Sequence, residues 1–170
     1  MPEPSLYHDD VVAWADQQVE ALRRLAAEAP SNAVDWDNVI EEIECLGRSE
    51  VSAVRSLIEN ALEHVLKSLI DHDSLSKIAW GREVERFLEQ ARDKFRRSMR
   101  QNLDTETMWG RAFRAATRDL ETYRVSIPPG IPATCPYTLD EILDEKFTFD
   151  TALRRLHAVV EKWPRDGDAS

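Results

Sequence analysis

Apolar residues recur along the chain at spacings of three and four, and nothing longer than a few residues alternates with period two. That pattern predicts helices throughout and no sheet. Six helical segments, one of them short, can be placed. The first follows the cap candidates between Ser5 and Asp10, turns Val11, Trp14, Ala15, Val19, Leu22 and Leu25 inward, and is stopped by Pro30. The second begins after Asp35 and runs from Trp36 to Ile70. Its stripe reads Val39/Ile40, Ile43, Leu46, Val54, Leu57/Ile58, Ala61/Leu62, Val65 and Leu69. At 1.5 Å per residue it spans about 50 Å. His72 is expected at its end, where an imidazolium would complement the helix dipole.

A third helix is expected from Ser76 to Met99 on Trp80, Val84, Phe87/Leu88, Ala91 and Phe95. A fourth runs from Asp104 to Arg124 on Met108/Trp109, Ala112/Phe113, Ala116, Leu120 and Tyr123. Between Ser126 and Tyr137 the prolines remove amide donors and favour extended backbone. This segment is too apolar for a loose linker, so an ordered strap is expected, with Ile127, Ile131 and Tyr137 packing down. Thr138 with Glu141 forms a capping-box pattern opening a short helix on Leu139, Ile142 and Leu143. A last helix from Asp150 to Trp163 aligns Leu153, Leu156, Val159/Val160 and Trp163, and Pro164 ends it. The expectation is an all-α, single-domain helical bundle of five to six helices over 5–163, with a disordered tail at 164–170.

Composition narrows function mainly by exclusion. The formal net charge of -10 over 170 residues argues against nucleic acid and anionic membranes, because those affinities rest on Lys and Arg. The charge is uneven, with acids crowding the second helix and arginines crowding 92–118. Those two stretches suit solvated faces or complementary helix pairs. No segment approaches the roughly 20 apolar residues of a bilayer span, and the start lacks a signal-peptide pattern. Cys45 and Cys135 have neither CxxC nor Cys/His ligand spacing. A cytoplasmic protein without membrane, metal or cofactor is therefore expected.

Glu50 is the main candidate for something other than packing. A helical wheel places it near Ile43, Val54 and Ala61 on the core-facing stripe. A buried carboxylate must be paired, hydrogen-bonded or neutralised. An ion pair, or a wet edge beside Gly47, is the structural alternative. A pocket carboxylate is the functional one, with His64 and Glu44 on the same helix as further buried polar candidates. The di-iron pattern Glu-x-x-His is absent, since Ala61, Leu69 and Arg154 precede His64, His72 and His157 by three. Cys135 has no local base, and phosphate-binding glycine motifs are missing. No residue is assigned as catalytic, which points away from an enzyme. Trp80, Cys135, Pro136 and Tyr137 are candidate interaction residues.

Several of these residues fall in blocks that resemble a family. Leu6-Tyr7-x-Asp9 with Trp14 and Gln18, the run Asp35 to Glu50, and His64-Val65-Leu66-Lys67 carry the resemblance. Trp80, Cys135-Pro136-Tyr137 and Ile142-Leu143-Asp144-Glu145-x-Phe147 complete it. Over residues 5–147 the chain resembles the domain of unknown function 29 family, departing after Lys67 and again after Phe147, where a further helix appears. The resemblance implies an all-helical bacterial protein with no established activity. The expected function is a protein-interaction module, through a partner or self-association. The alternative is a ligand-binding or enzymatic bundle using Glu50.

Overall fold

A computed structural model describes residues 6–29, 31–71 and 74–161. Pro30, His72, Trp163, Pro164 and the tail at 164–170, each given a role above, lie outside the described residues. Among those described the chain is an all-α bundle with no strand. Its elements are α1 (Leu6–Asp9), α2 (Val11–Glu28), α3 (Trp36–Ile70), α4 (Lys77–Lys94), a 3-10 helix (Arg97–Asn102), α5 (Thr105–Thr122), α6 (Leu139–Leu143) and α7 (Phe149–Glu161). They gather into two compact units. The first takes the described residues up to Val54 together with Lys94–Leu103, and the second takes Arg55–Asp93 and the described residues from Asp104 onward.

In the first unit, Asp10 caps α2 by accepting the Ala13 amide at 3.0 Å. Its carboxylate also accepts the Ser98 hydroxyl at 2.6 Å and the Ser98 amide at 3.3 Å. One side chain thus closes the helix start and fastens the 3-10 turn to it. Asp35 opens α3 in a similar way, accepting from the Asn38 amide and side chain. The interior consists of Val12, Ala15, Val19, Val51, Val54, Met99 and Leu103. Val12 is buried where Val11 was expected, and Leu25 is 50% exposed. The helix predicted to reach Met99 stops at Lys94, and Arg96 is extended before the 3-10 turn. The Asp10 contacts to Ser98 supply the non-local reason.

Burial pushes the Asp10 carboxyl up, but its hydrogen bonds from Ala13 and Ser98 outweigh that and hold it below the usual value. Its stabilising contribution is therefore present above the unfolded pKa near 3.9 and lost as pH falls through the lower folded value. Asp10→Ala is expected to cost about 1–2 kcal/mol at neutral pH. The gap between wild type and variant should close as urea titrations move from pH 5 toward about pH 2. A gap that stays constant over that range would refute the charge-dependent clamp.

The second unit holds most of the interior. Along the later part of α3, Ile58, Ala61, Leu62, Val65, Leu66, Leu69 and Ile70 are buried. Val84, Leu88 and Ala91 of α4 and Met108, Trp109, Ala112, Ala116 and Leu120 of α5 are buried as well. Tyr123, expected in the α5 stripe, is instead 78% exposed, because the helix ends at Thr122 and Arg124 turns into the left-handed region at φ 60. The strap is non-helical as expected. Thr138 and Glu141 make the full capping box, and α7 starts at Phe149, one residue before the expected Asp150.

Candidate interaction surface and buried polar groups

Glu50 is half-buried and makes no hydrogen bond or ion pair with another described residue. It thus differs from its neighbours on α3. Glu44 bridges to Arg23 of α2 and lies 3.5 Å from Arg48, which also pairs with Glu41. Both Glu44 and Glu50 belong to the first unit, whereas His64 belongs to the second. The His64 ring sits 2.8 Å from the Asn60 carbonyl through Nδ1 and 2.9 Å from Glu83 through Nε2. Fourteen residues of helix separate Glu50 from His64, about 21 Å of rise.

Of the candidate interaction residues, Trp80 and Pro136 are half-buried. Tyr137 is turned inward at 2% exposure, its hydroxyl donating to the Ala152 carbonyl at 2.8 Å. Its ring stands edge-on to Trp109 and to Phe147. Burial pushes the phenol pKa up, so the hydroxyl remains a donor. A surface role does not fit that placement. Tyr137 is a latch between the strap and α7.

Cys135 is fixed from both ends: its amide donates to the Glu106 carboxylate at 3.1 Å, and its thiol donates to the Tyr137 carbonyl at 3.2 Å. Burial pushes the thiol up to about 11. Since the thiolate is the reactive species, Cys135 should resist alkylation at neutral pH, while exposed Cys45 reacts readily. Iodoacetamide labelling followed by mass spectrometry is expected to modify Cys45 first. The Cys135 rate should rise about tenfold per pH unit through pH 10. Equal labelling of both at pH 7.5 would show that the strap does not protect the thiol.

Three arrangements were not visible in the sequence. Lys67 is 7% exposed, with Nζ 2.5 Å from both Glu63 and Asp119. Arg92 donates to the carbonyls of Asp144 at 2.8 Å and Phe147 at 2.7 Å, satisfying backbone acceptors that follow α6. The third concerns the α2–α3 hairpin. Arg23 pairs with Glu44, and Gly47 is buried against Ala15, so the two helices run side by side in opposite directions. Yet no described residue between positions 20 and 46 is buried, although Leu22, Leu25, Val39, Ile43 and Leu46 lie there. The stripes are covered only in part, with Leu22, Ile43 and Leu46 half-buried and Leu25 and Val39 exposed. The Trp36 indole nitrogen, at the start of α3, is shielded from solvent yet has no acceptor among the described residues.

The described residues contain no group of three or more His, Cys, Asp or Glu side chains placed to hold a metal ion. They also contain no helix long and apolar enough to cross a membrane. Residues 6–148 match the model of the family described as Domain of unknown function DUF29. The chain belongs to the DUF29 family. The match stops just before α7 begins at Phe149. A solved structure of an alpha-helical protein of unknown function from Rhodospirillum rubrum is similar, with a TM-score of 0.81 and 28% identity. The likeness covers 88% of this DUF29 chain and 96% of that one. No curated protein matches. Family and structural relative alike carry no assigned activity, so the function of this DUF29 protein is unknown.

Proposed function

We propose that this DUF29 protein is a cytoplasmic protein-interaction module, a single bundle over 5–163 that docks another protein chain on the α2–α3 hairpin. One observation carries the reading: an apolar-striped helical hairpin in which no described residue between positions 20 and 46 is fully buried. Leu25, Val34 and Val39 are exposed there together. Apolar side chains exposed along one hairpin suit an interaction surface. Two of the three groups considered for a ligand pocket already have protein partners, Glu44 with Arg23 and His64 with Glu83. That leaves an enzymatic site little to work with. Two free thiols suit a reducing compartment.

A photo-crosslinking amino acid at Val39, compared with one at exposed Ser56, tests the reading in cells. A discrete protein adduct from position 39 and none from position 56 is expected. Adducts that are equal at both positions, or absent from both, would end it.

A further inference from the structure

The hairpin is acidic. Between positions 20 and 48 seven acids stand against three arginines, a net charge of -4. A second copy would bring the same negative field against itself. A basic chain would be attracted. The apolar seam on α3 steps through Val39, Ile43 and Leu46 at intervals of four and three, and the next step of four lands on Glu50. The seam therefore ends in a half-buried carboxylate with no partner among the described residues. From Val39 to Glu50 it runs about 16 Å, the length of three helical turns.

We propose, building on the interaction reading above, that the α2–α3 hairpin receives a basic amphipathic helix of a partner protein, whose apolar face covers Leu25, Val39, Ile43 and Leu46 and whose lysine or arginine meets Glu50. This is helix-in-groove recognition, in which side chains at i, i+3, i+4 and i+7 anchor the ligand. The apolar seam supplies contact area, and the acids set orientation and reject acidic helices. Glu50 becomes paired only in the complex.

The probe is a fluorescein-labelled peptide of about 18 residues with leucine at i, i+3, i+4 and i+7 and lysine elsewhere. The same leucine pattern with glutamate replacing lysine is the control. Fluorescence anisotropy with the full chain should show saturable binding of the basic peptide alone, weakening about tenfold or more between about 50 and 500 mM NaCl. The double variant L25S/V39S changes only exposed side chains and should lose about tenfold or more in affinity with its melting temperature unchanged. Glu50→Gln should weaken binding about fivefold and flatten the salt dependence. Glu121→Lys, an exposed charge change on α5, should leave affinity as it was.

Equal binding of the acidic peptide, an equal loss with Glu121→Lys, or wild-type affinity in Glu50→Gln would each overturn the proposal. Light scattering separates it from the broader reading. A dimer abolished by L25S/V39S would place a second copy on the seam, overturning the basic-helix assignment while leaving the interaction module standing. If position 39 gives no adduct in cells, the broader reading fails whatever the peptide does.

Discussion

Trp109→Ala is expected to cost about 3–5 kcal/mol, a large share of the roughly 5–15 kcal/mol that holds a typical domain folded. Trp109 is 1% exposed, so its removal opens a cavity among α5 neighbours that cannot all close over it. It also anchors the strap, because Nε1 donates to the Pro132 carbonyl at 2.8 Å and the ring packs edge-on to Tyr137. Trp109→Phe separates the two contributions. It keeps an aromatic ring but leaves the Pro132 carbonyl without its donor, which costs about 1–3 kcal/mol. Urea unfolding of the three proteins gives the values, and limited proteolysis should find cleavage within 126–136 appearing first in Trp109→Ala. A loss under 1 kcal/mol in the alanine variant would mean that the strap and core are not coupled through this residue.

Lys67→Met should lower stability by about 2–4 kcal/mol, because it leaves Glu63 largely buried and facing Asp119 without the shared cation. The upper end of the buried-pair range is not reached, since Asp119 is more than half exposed and remains hydrated. Burial works against the ammonium charge, but the hydrogen bonds from Lys67 to Asp119 and Glu63 hold its pKa above the ordinary value. A raised folded pKa gives stability that is complete below the unfolded value near 10.4 and lost as pH rises through the folded one. The difference between wild type and variant should hold from pH 7 to 10 and shrink above about 10.5. Pairing Lys67→Met with Glu63→Gln should recover much of the loss, because the orphaned charge goes with it. No recovery in the double variant would assign the loss to packing of the lysine stem.

The local signals in this chain were legible because they are local. Asp35 precedes a helix that runs from Trp36 to Ile70, and the Thr138–Glu141 capping box forms as its spacing requires. The strap between Ser126 and Tyr137 is non-helical because of its prolines. The end of α4 was not legible, since residues 95–99 have helical spacing but Ser98 is taken by Asp10, 88 positions away in sequence. Leu25 and Tyr123 fit their stripes by periodicity and still lie in solvent. Periodicity says which face of a helix is apolar. It does not say whether anything covers that face.

The same distinction divides the candidate site. The sequence alone determined that Glu50 lies on an apolar stripe, that Tyr137 belongs to the strap and that the chain is acidic and all-helical, because these follow from spacing and composition. Only the tertiary structure decided that Tyr137 is spent on Ala152, that His64 is occupied by Glu83 and that Lys67 is buried between two carboxylates. It also decided that the α2–α3 hairpin leaves Leu25, Val34 and Val39 exposed and fully buries no described residue over positions 20–46. Burial depends on which elements meet, and those meetings join residues tens of positions apart. A helical period cannot carry that information.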